Sequence, residues 1–456
     1  MRFRASDVAA ATNGSLVGPD VALDGVSFDS RSLRHGQLFV PIVADRDGHD
    51  FVASAVANGA TAYLSARGAI ADAAATAVVV DDTLRALMDL ARVRRQSFAG
   101  TVVGITGSVG KTSTKDLAWA ALAAAGKRTW ANERSFNNDQ GLPTTILNAP
   151  DDTETLVLEM GMRGFGEIAR LCRIAAPQIG IVTRVAEAHS DRVGGIDGVQ
   201  RAKSELPAAL AADGFAILNG DDPRVAAMAS VTAATVVRYG EGDSNEVRIS
   251  DVGVDGLARA SFHLDSPWGA VDVVLGISGR HMVHNAAAAL ACVGVVGGDL
   301  EAAAASLRDV TLTAMRMQID RLASGAMLLD DSYNANPTSM RAALDALVDL
   351  PARRRIAVLG VMAEIADAEA EHVAIARYAA DRGVRVIAVA TPLYGLQPVT
   401  GDDATTLVAA TLEAVGSVAG DDAVLVKASR AAGLDRIAQA LRSGSVRVLE
   451  RGDGAA

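Results

Sequence analysis

Short apolar runs rich in Val and Ile alternate with helical patterns along almost the whole chain. Thr101–Thr106, Leu156–Leu158, Ile179–Val182 and Phe215–Leu218 read as buried strands, with helical stretches between them. The first of these strands leads through a Gly-containing turn into a helix expected from about Thr112 to Ala125. Near Thr311 a second series begins, with strands predicted at Met327–Leu329, Ile356–Leu359, Val386–Val389 and Ala423–Val426. Such alternation implies α/β units built on mostly parallel sheets. Ahead of both lie short strands, a Gly-rich turn and a helix expected from Phe51 to Asn58. A length of 456 residues is enough for about three domains. The pattern divides them at 1–95, 96–311 and 312–456.

Composition narrows the reading. Half the residues are hydrophobic but only 4% are aromatic, so the cores must be built from Ala, Val, Leu and Ile. A net charge of -11 argues against a general nucleic-acid binder, which carries a basic excess. A few local Lys and Arg side chains can still hold a phosphate. The two cysteines, Cys172 and Cys292, cannot form a disulfide framework, which fits a reducing compartment. The opening MRFRASDVAAATNG has no apolar core before a cleavage site. The longest apolar stretches, such as Ala286–Val296, fall short of the ~20 residues a membrane span needs. The expectation is a soluble cytoplasmic protein with no membrane span and no nucleic-acid partner.

The strongest chemical signal is Thr106-Gly107-Ser108-Val109-Gly110-Lys111-Thr112-Ser113, between a strand and a helix. Glycines let backbone N–H groups approach an anion, and the helix N-terminus adds positive potential. Lys111 supplies charge, and the Thr112 hydroxyl can reach Mg²⁺. The general pattern asks for Gly at 105, where Ile105 stands. The alternative is a plain glycine turn, but strand, Lys and Thr all in place favour nucleotide phosphate binding.

Further polar residues follow the next strands, where open α/β sheets bind ligands. Glu159 ends one strand, His189 follows another, and Lys203 lies in a helix expected from Val199 to Leu210. Taken singly, each has an ordinary explanation as a strand end, a loop residue or an exposed helix face. Together, a carboxylate and an imidazole beside a P-loop supply ligands that a Mg²⁺–ATP site needs. Asn137-Asn138-Asp139 suits a turn, and Asn285 suits a helix N-cap as well as it suits a ligand. In the last third, Asp330-Asp331-Ser332-Tyr333-Asn334-Ala335-Asn336-Pro337 and Lys427-Ala428-Ser429-Arg430 each follow a strand. Polar clusters this dense are rarely needed for folding, and two of them suggest a crevice.

In order along the chain, TGSVGKTS, NNDQG, LEMG, AHSD, RAKSE, HMVHN, RMQ, DDSYNANP, LGVMAE and VKASR resemble the Mur ligases. The resemblance runs from about residue 27 to 436, and DDSYNANP is its most discriminating block. It implies an N-terminal UDP-substrate domain, a central P-loop ATPase domain with a parallel sheet and a C-terminal Rossmann-like domain. The implied reaction is ATP-dependent amide ligation through an acyl phosphate, joining D-alanyl-D-alanine to UDP-N-acetylmuramoyl-tripeptide in cytoplasmic peptidoglycan precursor synthesis. The acting species is expected to be a monomer.

The resemblance also assigns roles. Gly107 to Ser113 would hold ATP phosphates, with Lys111, His189 and Lys203 catalytic. Thr112, Glu159, His189 and Lys203 would hold two Mg²⁺, Lys203 as a carbamate. Asn285 would approach adenine and Arg316 the phosphates, and Asp331 would approach the ribose or stabilise domain closure. Asn137, Asn138, Asn334, Asn336, Lys427, Ser429 and Arg430 would face the substrates, and Ser27, Asp29, Ser30, Arg31, Asp47, Gly48 and His49 the uridine diphosphate end.

Departures are Arg184 where Asn is frequent, Asp191 for a Glu, Met282 for an Asn and Ala428 for a Gly. Arg184 matters most, because it would bring a cation toward the metal site. Two alternatives remain at this level: a Mur-type ligase for another amino acid or peptide, and a nucleotide-binding regulator that does not ligate.

Overall fold

The computed structural model describes residues 3–70, 74–133, 135–187 and 190–444. Three main sheets follow one another along the chain. The first has five short strands in the order Ser15–Val17, Thr76–Val79, Ala62–Ser65, Leu38–Phe39, Val26–Ser27; the first pair is antiparallel and the others parallel. The expected helix at 51–58 forms as a 3₁₀ turn, Gly48–Phe51, running into Val52–Ala57.

The middle sheet has nine strands. Third from one edge lies β1 (Thr101–Thr106), flanked by β2 (Thr155–Glu159) and β3 (Ile179–Val182), all parallel. Their residues are almost all buried, as both faces of a parallel sheet must be, which is why they read as continuous apolar runs. One edge continues in antiparallel strands, Val247–Val254, Arg259–Ser266 and Gly269–Ser278, an extension the strand–helix alternation does not register. Alternating burial along Gly269–Ser278 marks it as half solvated.

Two helices cover the face behind the P-loop. α1 (Lys111–Ala124) follows β1, and α2 (Met282–Val295) packs along it. The alanines of α2 from 286 to 289 are fully buried, so the low aromatic content reflects small side chains at a close helix contact. The helix expected over 199–210 breaks at Ser204 into Ile196–Lys203 and Glu205–Ala208, which leaves Lys203 at a helix end.

The last sheet runs Gln318–Arg321, β4 (Met327–Asp330), β6 (Asp422–Lys427), β5 (Arg354–Leu359), Arg385–Ala388; only its first pair is antiparallel. A helix over Pro337–Asp349 starts from the cluster after β4. This doubly wound unit is the Rossmann-like part of an α/β architecture.

Side chains join the units. Asn148 accepts from the Val26 N–H at 2.8 Å and donates to the Val26 carbonyl at 2.9 Å, imitating a neighbouring strand. Phe28 and Phe136 meet with ring centroids 5.5 Å apart. At the other junction Thr313 N–H donates to Asp116 at 2.8 Å. Among the described residues no helix is long and apolar enough to cross a membrane.

Candidate active site

The P-loop is built from backbone conformations only glycine adopts freely. Gly110, with φ 86°, caps α1, and a Cβ there would stand 2.5 Å from the Asn285 carboxamide oxygen. At Gly107 a Cβ would fall 1.9 Å from the Thr183 hydroxyl. The segment after β3 holds the loop in place. Thr183 Oγ1 donates to the Val109 carbonyl at 2.6 Å, Ser108 N–H donates to the Arg184 carbonyl at 2.7 Å, and Ser108 Oγ exchanges bonds with Ala186. Arg184 thus contributes its backbone while its side chain is exposed and absent from the cavity lining. Its charge reaches the cavity only at a distance, acting on the lining residue His281.

A cavity of about 580 Å³ opens between the middle and last units. Ser108 to Ser113, Asn137, Asn138, Glu159, Lys203 and Asn285 line one side. Arg316, Asp331, Asn334, Asn336, Lys427 and Arg430 line the other. Residues from 108 to 430 therefore meet in one space, as the strand-end positions of both series predict. Gly107 lies just behind, its carbonyl accepting from Lys111 Nζ at 2.7 Å.

Glu159, 1% exposed, is the focus of the middle wall. Thr112 Oγ1 donates to its Oε2 at 2.7 Å and Asn137 Nδ2 to its Oε1 at 2.6 Å. Lys203 is 2% exposed, and burial with the nearby Lys111 charge holds its amine well below the usual lysine range. Burial likewise lowers Lys111, with Glu159 opposing and Arg316 reinforcing the shift. Taken over both walls, the cavity lining carries more Lys and Arg than Asp and Glu side chains, a balance that suits an anionic ligand. His189 lies outside the described residues. Among the described residues no three His, Cys, Asp or Glu side chains converge as a metal cluster. The Thr112 hydroxyl and Glu159 carboxylate are nevertheless hard oxygen donors suited to Mg²⁺.

The opposite wall is held by side chains with duties of their own. Lys427 Nζ pairs with Asp331 and donates to the Asn334 carbonyl at 2.8 Å. Burial lowers the Lys427 ammonium and Asp331 raises it. Asn336 caps the helix Pro337–Asp349 by accepting from Ser339 N–H at 2.9 Å. Ser429 does not line the cavity; its hydroxyl accepts from Ala363 N–H at 2.8 Å. Arg316 lies between Met315 and Met317, both left-handed at φ 64° and 49°. Its guanidinium sits 4.4 Å over the Tyr333 ring, and its buried Nε has no partner among the described residues.

Some sequence-level assignments resolve differently. Asn285 is no N-cap: it sits inside the first turn of α2, and its Nδ2 donates to the Met282 sulfur at 3.3 Å. Asn138 accepts from Gly141 N–H at 2.9 Å, the turn role its residue type suggests. Ser27, Asp29, Ser30, Arg31, Asp47, Gly48 and His49 lie in the first unit and none lines the cavity. There Arg31 grips Asp29 through two bonds of 2.9 and 2.7 Å. Buried His49 donates from Nδ1 to Asp47 at 2.6 Å and accepts from Ala66 N–H at 3.0 Å. Cavity residues the motif reading passed over include Ser135, Arg163, His281 and Tyr333. His281 and Tyr333 stand inside the HMVHN and DDSYNANP blocks, so the signal was present without a role attached.

Residues 105–293 match the Mur ligase middle domain, and residues 315–449 match the Mur ligase glutamate ligase domain. The UDP-N-acetylmuramoyl-tripeptide–D-alanyl-D-alanine ligase of Mycobacterium bovis is 41% identical, the alignment covering 91% of each chain. The crystal structure of MurF from Acinetobacter baumannii superposes with a TM-score of 0.86 at 28% identity, covering 97% of this chain and 99% of that one. MurF ligase from Thermotoga maritima, solved in complex with ADP, gives 0.78 at 26% identity, covering 92% and 97%.

Proposed function

This chain belongs to the Mur ligase family, and on that premise we propose that it adds D-alanyl-D-alanine to UDP-N-acetylmuramoyl-tripeptide at the expense of ATP. The observation that carries the reading is the single cavity where the P-loop, Glu159 and Lys203 face Arg316 and the Asp331–Lys427 pair. A site with buried cations on both walls suits a polyphosphate held between two units.

The P-loop amides and Lys111 hold the β- and γ-phosphates of ATP, and Arg316 reaches them from the last unit. The terminal carboxylate of the tripeptide attacks the γ-phosphorus, forming an acyl phosphate and releasing ADP. The amine of D-alanyl-D-alanine then attacks the acyl carbon, phosphate leaves, and the amide forms with loss of a proton. Lys111 offsets charge that builds on the transferring oxygens. Thr112 and Glu159, with His189 and Lys203, would hold Mg²⁺, which supplies further charge neutralisation on the phosphates. Lys203 serves as a carbamate: its neutral amine adds CO₂ and loses a proton, turning a misplaced cation into an oxygen ligand. Buried as it is, that amine is available in neutral form.

The boundaries near 95 and 311 separate a UDP-binding unit, an ATPase unit and the closing unit. Ser27 to Arg31 and Asp47 to His49 hold the uridine diphosphate end, and Asn285 the adenine. Asn137, Asn138, Asn334, Asn336 and Arg430 guide the peptide substrates, with Ser429 shaping their loop. The enzyme works in the cytoplasm, where its nucleotide-linked substrate is made, and as a monomer. A coupled phosphate-release assay tests the reading: phosphate should appear only when ATP, Mg²⁺, UDP-N-acetylmuramoyl-tripeptide and D-alanyl-D-alanine are all present. Release with a different amine, or with none, overturns it.

A further inference from the structure

Lys115 follows Lys111 by one turn of α1, yet it does not line the cavity and is only 3% exposed. Burying an ammonium requires a paired and hydrogen-bonded setting. Here Nζ stands 3.0 Å from Asp116 Oδ1 and donates to the Asn132 carbonyl at 2.9 Å. The other Asp116 oxygen accepts from Thr313 N–H at 2.8 Å, on the linker that leads to Arg316.

Asn132, itself buried, then faces two ways. Its Oδ1 accepts from the backbone N–H of Glu159 at 2.6 Å, and its Nδ2 donates to the Phe136 carbonyl at 2.6 Å. Phe136 packs on Phe28 of the first unit, and the next residue, Asn137, holds the Glu159 carboxylate. Glu159 is thereby gripped at its main chain and its side chain by one loop, and that loop is moored to the Lys115–Asp116 pair.

We infer that Lys115 and Asp116 are positioning residues for Glu159, fixing the carboxylate through Asn132 while tying it to the linker at Thr313. An ion pair this buried adds little net stability relative to apolar side chains of similar volume, so its value here is geometric. The inference rests on the reading of Glu159 as a Mg²⁺–nucleotide ligand. A displacement of about 1 Å at such a group can cost about a hundredfold in rate.

The test compares the parent enzyme with Lys115→Met and Asp116→Asn, following ligation kinetics and, by calorimetry, ADP binding with and without Mg²⁺. For Lys115→Met we expect kcat to fall about tenfold to a hundredfold, with KM for D-alanyl-D-alanine within about twofold of the parent. The extra affinity for ADP that Mg²⁺ confers should shrink about fivefold or more; the melting midpoint should fall as well, because Asp116 loses its counter-charge, so the kinetics are compared well below it. Parent-like kcat and Mg²⁺ response in folded Lys115→Met overturn the inference, as does a rise in KM with kcat unchanged. Should Lys115→Met aggregate, Asp116→Asn decides, since it keeps the volume and an acceptor for Thr313: a Mg²⁺ response equal to the parent's overturns the inference. A parent that neither ligates nor binds ADP more tightly with Mg²⁺ removes the functional reading itself, and this inference with it.

Discussion

The Thr112 hydroxyl points at Glu159 across 2.7 Å, joining the first turn of the P-loop helix to the end of the neighbouring strand. Both groups are buried oxygen donors, and the proposed function makes them a single ligand set for Mg²⁺. Glu159→Gln keeps the shape and removes the charge; phosphate release should drop about a hundredfold or more, with an unchanged circular dichroism spectrum. Thr112→Ser should retain most activity and Thr112→Val should lose it. Equal rates for the two Thr112 variants would show that the hydroxyl does not take part.

Lys203 offers a test by chemical rescue. Lys203→Ala should be nearly inactive, and added acetate or formate should restore part of the rate by supplying the missing carboxylate. Full activity without any additive would count against carbamoylation.

The Asp331–Lys427 pair predicts an asymmetric response. Asp331→Asn leaves a buried ammonium short of its counter-charge and should destabilise the last unit by about 3 kcal/mol. The double variant Asp331→Asn/Lys427→Met should recover part of that loss. Urea unfolding followed by hydrogen exchange in β4 and β6 reads both; additive losses would mean that the two side chains do not interact.

His372 gives stability a pH dependence. Its ring is buried, accepts from Met362 N–H at 2.8 Å through Nε2 and donates from Nδ1 to the Ala368 carbonyl at 2.5 Å. Burial lowers its pKa, with the Ala368 bond opposing, so the folded state holds the ring neutral while an unfolded histidine titrates near 6.5. The unfolded chain therefore binds the extra proton first. The stabilisation is complete above about pH 6.5 and declines as pH falls from there toward the folded-state value. Between about pH 7.5 and pH 5.5 the parent's melting midpoint should drop more than that of His372→Gln. Parallel pH profiles would exclude the effect.

The strands were legible because a buried parallel strand has few ways to be written. TVVGIT and IGIV appear in the structure with the boundaries their apolar runs suggest; the other core strands gain one or two residues at their ends, except that the one expected at Val386–Val389 shifts by one residue to Arg385–Ala388. The antiparallel extension was harder to see, since its half-exposed strands mix polar and apolar residues and no helices separate them. The phosphate loop was legible because its chemistry is local in sequence. Arg184 was harder to read because residue type does not say which part of a residue is used: the loop takes its carbonyl, and the exposed residue stays out of the cavity lining. The Lys115–Asp116–Asn132 chain was invisible for a related reason. On the page Lys115 is one more cation on a helix, and only folding shows that it is sealed from water.

The clasp between Asn148 and Val26 divides the labour unevenly between the two residues it joins. On one side it uses only main-chain atoms, which every amino acid except proline can offer. On the other it needs a carboxamide of one length. Evolution can therefore rewrite position 26 within the limits of packing and keep the first unit seated, whereas a single change at 148 would unfasten it.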